Sequence, residues 1–192
     1  MIKCKNFNSE DLKRIARFVA TAFLAEDGCF TSLSIDDASK MFKIIIETCY
    51  NEGHLYKTSE NEEGFCVYWT KSERPGFFPQ LKMMWRMATQ LPIKAGLLMM
   101  NNKSGWTPTE KRYTAADDFV EVFLIAVRPE YQGRGYFKAM LNEPFTLAEK
   151  RNTICVLDTD SKLKAQKYEH EGMHIVESKK LKSKITMFAM EK

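Results

Sequence analysis

The sequence predicts a single domain, residues 1–192, with a mixed α/β (α+β) fold. Its 192 residues, of which 44% are hydrophobic and 28% charged, suit one soluble domain with a sizeable core. Segments with the apolar period of helices and segments with the period of strands occur along the whole chain. No repeat, low-complexity segment or linker divides it.

The first third of the chain predicts the order strand, helix, helix, strand, strand. A short strand over residues 2–7 precedes a helix that we expect Ser9 to cap, because acids and then a helical apolar pattern follow it. A second helix begins near Ser34 and ends before Gly53, a typical C-terminal stop. Two strands, residues 54–58 and 64–70, flank a polar turn.

The segment 71–118 is rich in methionine and aromatic residues and lacks strand alternation. We expect one or two helices here, broken at Pro92. The segment serves either as core filling or as a substrate-facing lid, since methionines suit both. We do not expect membrane contact, because no large polar face accompanies the basic residues Lys82, Arg86 and Lys94.

The last part of the chain has the clearest pattern. It predicts a fourth strand over residues 119–127, a glycine turn, a helix to about residue 151, a strand over 153–158 and a helix over 161–171. Two final strands, 174–181 and 185–190, follow. Pro144 should kink the helix that contains it.

The turn between the fourth strand and the next helix contains Gly133 and Gly135. Glycines allow a ligand to approach the backbone, and the first N–H groups of a helix bind anions such as a pyrophosphate. Lys138 replaces the third glycine of a dinucleotide fingerprint, and no Gly-Lys-Ser/Thr ending marks a P-loop. An ordinary strand-turn-helix connection is the alternative.

Two motifs resemble the GNAT superfamily of N-acetyltransferases. Its acetyl-CoA loop has three defined positions, held here by Gln132, Gly135 and Phe137; the first two match, and Phe137 replaces a small residue. Residues 164–173 resemble a late stretch of the family, with Met173 in place of the usual Phe. With the order of elements, the resemblance covers the whole chain.

This resemblance implies a mostly antiparallel central sheet flanked by helices, with a helical insertion at about residues 71–118 before the fourth strand. It implies an enzyme that transfers an acetyl group from acetyl-CoA to a primary amine by direct attack in a ternary complex. The backbone of the fourth strand's end should contact the pantetheine arm, and the turn should hold the pyrophosphate. The expected cofactor-binding residues are Ile125, Ala126, Val127, Gln132, Gly133, Arg134, Gly135, Tyr136, Phe137 and Lys138. Of these, Arg134 and Lys138 either reach phosphate oxygens or are simply solvated.

Two residues are candidates for catalysis. The resemblance places Tyr168 beside the thioester sulfur, where a phenol can donate a proton to the leaving thiolate; alternatively it packs against the sheet. Strand alternation puts Glu121 on one face with Phe123 and Ile125, so it could act as the general base or be an exposed strand carboxylate. Other candidates for polar contacts are Asp117, Asp118, Asp158, Thr159 and Asp160.

The remaining composition narrows the partners. Five cysteines without a Cys-x-x-Cys pair look like reduced core thiols, and three histidines without suitable spacing predict no metal site. A net charge of +4 gives little support to nucleic-acid binding, which stays a minor alternative. Without an apolar signal region or an apolar stretch of about 18 residues, we expect a cytoplasmic protein.

The acceptor, a small-molecule or peptide amine, is not encoded in any motif. The sequence leaves a homodimer open. A non-catalytic acyl-CoA-binding or sensing module on the same scaffold is the competing function.

Overall fold

A central sheet organises the protein, whose computed structural model describes residues 1–114 and 117–192. Within these residues seven strands pair in the order β1-β2-β3-β4-β5-β7-β6. The strands are β1 (Ile2–Lys3), β2 (Leu55–Lys57), β3 (Gly64–Thr70), β4 (Phe119–Val127), β5 (Ile154–Thr159), β6 (His174–Lys180) and β7 (Thr186–Glu191). The helices are α1 (Ser9–Leu24), α2 (Ile35–Asn51), α3 (Phe77–Gln90), α4 (Ile93–Lys103), α5 (Tyr136–Lys150) and α6 (Lys162–His170). The predicted element order is confirmed.

Neighbouring strands are antiparallel except β4 and β5, which run parallel. This pair is in register from Phe119 opposite Ile154 to Glu121 opposite Val156. The pairing ends there, although β4 continues to Val127 and β5 to Thr159. The two strands therefore diverge and open a cleft in the middle of the sheet.

A β-bulge interrupts β4 beside this cleft. Val67 of β3 faces Leu124, but the next residue, Tyr68, faces Val122, so Phe123 is an extra residue without a partner on β3. Such a bulge turns two successive side chains toward the same side of the strand and shifts the alternation that follows.

This bulge corrects the prediction that Glu121, Phe123 and Ile125 share a face. Glu121 and Phe123 do share a face, since both contact Trp69. Ile125 lies on the opposite face, where it packs in the cluster that contains Met140. The expectation that all three share a face is wrong because strict alternation does not hold across the extra residue.

The helices cover both faces of the sheet. α1 and α2 pack on one face through residues such as Ile15, Phe42 and Ile46, and α5 and α6 pack on the other through residues such as Leu141 and Tyr168. All five cysteines are buried and free. Burial raises the pKa of Cys155 to about 12, so this thiol stays protonated.

Helix ends follow local capping chemistry. Asn8, rather than Ser9, caps α1: its side chain accepts the N–H groups of Glu10 and Asp11, and the Asp11 carboxylate accepts the Asn8 N–H. Asn and Ser are comparable caps, so the prediction missed by one residue. Pro92 separates α3 from α4 as predicted. None of the helices in the described part of the chain combines the length and apolar character that crossing a bilayer requires.

Candidate functional site

A cavity of about 920 Å³ occupies the cleft where β4 and β5 diverge. Its walls come from both strands, from the turn that follows β4, and from α1, α2, α3, α5 and α6. The cavity thus reaches helices on both faces of the sheet. Its volume lies within the range of about 300–1,000 Å³ that is typical of pockets for small molecules and cofactors.

The glycine turn ends one side of this cavity with an open helix N-terminus. Gly133 and Gly135 have φ angles of 73° and 83°, which side-chain-bearing residues rarely adopt. The first helical bond of α5 runs from the Ala139 N–H to the Gly135 carbonyl at 3.0 Å, and no side chain caps the helix. The N–H groups of residues 136–138 precede that bond and therefore have no acceptor within the helix.

Gln132 fixes the turn against the end of β4. Its side-chain amide donates to the Val127 carbonyl at 3.2 Å, and its backbone N–H donates to the Pro129 carbonyl at 3.2 Å. The Gln132 backbone N–H is therefore already bonded, which the sequence does not indicate. Lys138 lines the cavity, whereas Arg134 lies outside its lining.

The β2–β3 hairpin anchors the start of the turn. The Arg128 N–H donates to the Glu63 carbonyl at 2.8 Å, and the Arg128 guanidinium pairs with Glu62 at 3.3 Å. The buried Glu63 carboxylate accepts the hydroxyls of Thr58 and Ser59 at 2.6 and 2.7 Å. The hydrogen bond from Thr58, with the others, lowers the pKa of Glu63 to about 2. No sequence motif indicated this support.

Tyr168 of α6 lies in the cavity wall with its ring against Phe137. It is only 9% exposed, and burial raises the pKa of its hydroxyl above the ordinary value of 10.0. No group among the described residues forms a hydrogen bond with this hydroxyl. Tyr168 therefore presents a neutral donor to the cavity over the whole neutral pH range.

Helices α1, α2 and α3 give the cavity an apolar wall. Phe23 of α1, Phe42 of α2, and Met83 and Met87 of α3 line it. Met83 and Met87 also pack against the core formed with α1 and α2, so the insertion is core and cavity wall at once. The neighbouring side chain of Trp85 is exposed and lies outside the lining.

The buried Asp160 carboxylate, which forms an ion pair at the start of α6, also binds the loop between α1 and α2. Asp160 pairs with Lys164 at 2.7 Å and accepts the Cys29 N–H at 2.7 Å. A Cβ at Gly28 would lie 2.4 Å from the Asp160 carboxylate, so only glycine allows this approach. The pair holds this loop at the cavity, which Asp160 and Cys29 both line.

The other acidic candidates lie in structural contacts. Glu121 accepts the Trp69 indole N–H at 2.8 Å, lies 3.7 Å from the Arg74 guanidinium and is outside the cavity lining. Asp118 pairs with Arg151 at 2.8 Å before the start of β4, where β4 and β5 are still paired.

Asp158 accepts the Trp106 indole N–H at 3.0 Å and the Thr109 N–H, so it ties the end of the insertion to β5. Asp158, Thr159 and Asp160 all line the cavity. Within the described part of the chain, no three His, Cys, Asp or Glu residues form a group that could hold a metal ion.

Comparison with known proteins identifies the architecture. No protein-family model and no curated protein matches the chain. An N-acetyltransferase from Staphylococcus aureus Mu50 superposes with a TM-score of 0.59 at 18% identity, over 96% of this chain and 97% of that one. Arylalkylamine N-acetyltransferase 2 from Aedes aegypti gives 0.59 at 8% identity, over 98% and 96%. A GNAT-family protein from Desulfovibrio desulfuricans gives 0.55 at 11% identity, over 94% and 90%. The chain therefore has the fold of the GNAT superfamily, as its sequence predicts.

Proposed function

We propose that the protein is an acetyl-CoA-dependent N-acetyltransferase that acetylates a primary amine by direct attack in a ternary complex. One observation carries the proposal: an open helix N-terminus at Gly135 and the neutral phenol of Tyr168 line the same cavity. The first binds a pyrophosphate, and the second stabilises a leaving sulfur.

The cofactor would lie along β4. The amides of residues 133–138 would bind the pyrophosphate, with Lys138 close enough to add a positive charge. From there the pantetheine arm would run beside residues 125–127. These residues pair with β3 on one side but lie beyond the last pair with β5, so their other edge can pair with the amides of the arm.

The reaction then needs alignment and a donor to sulfur. The neutral amine nitrogen attacks the thioester carbonyl, and a C–N bond forms. The C–S bond breaks as the oxyanion collapses, CoA leaves as the thiolate, and the proton that the nitrogen gives up passes to water. A free thiol has a pKa of about 8.5, below that of the buried Tyr168, so complete proton transfer from the phenol is unfavourable. We propose that Tyr168 donates a hydrogen bond to the sulfur as negative charge develops there.

Glu121 would support the strand rather than take the amine's proton. Its carboxylate is held by Trp69 and lies near Arg74, away from the cavity lining. In this role it would keep β4 in place beside the bulge at Phe123.

The acceptor would be an amine that carries an apolar group. Phe23, Phe42, Met83 and Met87 provide a wall of aromatic and flexible apolar side chains from α1, α2 and α3. The mosquito protein named above acts, by its name, on arylalkylamines, which combine an amine with an apolar ring. Small molecules and peptide N-termini with apolar side chains both fit this description.

The test is release of free CoA from acetyl-CoA in the presence of amines. The panel pairs each amine that has an aromatic or branched apolar group with a polar amine of similar size. We expect faster release with the apolar member of each pair, and much slower release with Gly135→Glu, in which acetyl-CoA binding is weakened. If acetyl-CoA raises the melting temperature but no amine releases CoA, the protein is instead a non-catalytic acyl-CoA-binding module.

A further inference from the structure

Helices α3 and α4 present an unusually large set of apolar side chains to solvent. The exposed residues are Phe77, Phe78, Leu81, Met84, Trp85, Ile93, Leu97 and Met100. Scattered apolar residues are normal on protein surfaces, but a run on two consecutive helices marks an interaction surface. We call these eight residues the outer apolar face.

Core packing does not account for this face. In α3 the inward side chains are Met83 and Met87, which pack on the core. Phe77, Leu81 and Trp85 recur at intervals of four residues and are all exposed, so they form a separate stripe on the solvent side. The helix is apolar on two sides, of which the protein covers one.

The charged residues of the segment that carries the outer apolar face are all basic. Between Pro75 and Thr109 the sequence has no Asp or Glu. Lys82 and Lys94 are exposed, and among the described residues neither forms an ion pair. Arg86 is turned inward to Glu47 at 2.6 Å.

A second basic element adjoins the end of α4. The Lys179 ammonium donates to the Gly105 carbonyl at 2.8 Å, two residues beyond the last residue of α4. Exposed Lys180, Lys182 and Lys184 follow in the β6–β7 hairpin. Cations from two parts of the chain thus lie on α3 and α4 or next to the end of α4.

We propose that the outer apolar face docks on an anionic lipid bilayer, with α3 and α4 lying in the plane of the interface. Aromatic and aliphatic side chains on one side of a helix, with lysines beside them, are the features that hold helices at such interfaces. Flanking lysines add attraction to anionic headgroups. No membrane-spanning segment is needed.

Charge favours this occupant over a second copy of the chain. A symmetric dimer through the same face would bring Lys82 and Lys94 of each copy toward those of the other, and like charges at an interface oppose association. The expectation of no membrane contact relied on the missing polar face of the insertion. In the structure, lysines of the β6–β7 hairpin add positive charge that the sequence of the insertion alone does not show.

The first experiment is co-sedimentation of the whole protein with vesicles. We expect binding to phosphatidylcholine vesicles that contain phosphatidylglycerol, weaker binding to phosphatidylcholine alone, and a decrease as salt rises. The emission of Trp85, isolated by comparison with Trp85→Phe, should shift to the blue when the protein binds, because the indole leaves water.

Variants then locate the contact. Phe78→Glu and Trp85→Glu should each weaken vesicle binding at least about tenfold, because a charge must enter the interface. Both side chains are exposed, so the melting temperature and acetyl-CoA binding should not change. Ile2→Glu is the matched control: it changes an exposed apolar residue in β1, at the other edge of the sheet. It should bind vesicles as the parent does.

Two results would overturn the proposal. The first is vesicle binding that Phe78→Glu and Trp85→Glu leave unchanged. The second is no binding to phosphatidylglycerol vesicles by the parent protein. In the second case, sedimentation velocity decides what covers the face: a dimer that Trp85→Glu dissociates would assign it to a second copy.

Discussion

The rings of Phe137 and Tyr168 pack against each other with their centroids 5.2 Å apart and their planes at 53°. Phe137 lies in the first turn of α5 and Tyr168 in α6, so the contact joins the glycine turn to the buried phenol. A small residue at position 137, as in the motif of the GNAT loop, would not make this contact. The departure from the motif therefore has a packing role.

Tyr168→Phe should lower kcat about tenfold to hundredfold and change the KM for acetyl-CoA little. A hydrogen bond to a developing charge contributes about 1.5–3 kcal/mol, and this one forms mainly as the sulfur leaves. Burial raises the pKa of the hydroxyl, so it stays protonated up to and beyond about pH 10. The pH profile of kcat should keep its shape between about pH 6 and 9 and fall in amplitude.

Steady-state kinetics across that range provides the measurement. The control is Phe137→Leu, which removes the ring contact and keeps the phenol, so it should affect kcat less. Equal kcat values for Tyr168→Phe and the parent would assign Tyr168 to packing alone.

Gly135→Glu should weaken acetyl-CoA binding about hundredfold. It places a negative charge at the proposed pyrophosphate site, and like charges at an interface cost several kcal/mol. Calorimetry measures the affinity directly.

Gly105→Glu is the matched control, because it should introduce backbone strain similar to that of Gly135→Glu. Gly105 has a φ of 88° against 83° for Gly135, and a Cβ at either position meets no atom within 4 Å. Gly105 lies outside the cavity lining. Both variants should lose similar stability, but only Gly135→Glu should lose affinity. If the two variants bind acetyl-CoA with similar affinity, the pyrophosphate does not bind at the glycine turn.

Local patterns predicted much of the fold. β4 occupies the predicted residues, because a long apolar run bounded by aspartates and an Arg-Pro pair leaves little choice. The bulge at Phe123 was not predicted, since it depends on how β3 and β4 align and alternation assumes regular pairing. The side on which Ile125 lies was missed for that reason.

The geometry of the candidate site was predicted where it depends on local sequence and missed where it depends on distant contacts. Gly133 and Gly135 predict the turn from the sequence, because the backbone angles at both positions favour glycine. The bond from Arg128 to Glu63 joins segments that are far apart in sequence, and no spacing rule indicates it. In α3 both sides are apolar, so periodicity could not tell which methionines face the cavity.

Glu121→Gln should lower the melting temperature and leave the shape of the pH profile unchanged. The amide can still accept the Trp69 N–H, but it loses the charge that lies 3.7 Å from Arg74. If Glu121 were the general base, the variant would instead lose most of its kcat, and the acidic limb of the profile would change. Thermal melts and pH-rate profiles of one preparation separate the two roles.

Glu63→Gln should destabilise the protein by about 2 kcal/mol near pH 7, because hydrogen bonds to a buried carboxylate are stronger than those to an amide. The pKa of Glu63 is lowered from 4.5 to about 2 in the folded protein. Its contribution is therefore complete above about pH 4.5 and is lost as the pH falls toward 2.

Denaturant unfolding of both proteins at several pH values gives this difference. The difference in free energy of unfolding between the two proteins should shrink as the solution becomes more acidic, because Glu63 becomes protonated. The contributions of the other titrating groups cancel in this difference. A difference that is constant with pH would mean that the carboxylate is not held in its charged form.

Met83→Ala should change the KM for the acceptor by roughly tenfold and leave acetyl-CoA affinity nearly unchanged. Met83 belongs to the apolar wall of the cavity, and removing a few methylene-sized groups from such a wall changes binding by about 1–3 kcal/mol. Met84→Ala is the matched control, since Met84 is exposed, lies outside the lining and has the same side chain on the same helix. Kinetics with the best amine of the panel compares the two.

Met83 also packs on the core, so its variant should melt at a lower temperature. If Met83→Ala lowers the stability but leaves the acceptor KM unchanged, α3 is a core element only. If Met83→Ala and Met84→Ala change the acceptor KM equally, Met83 is not part of the acceptor wall.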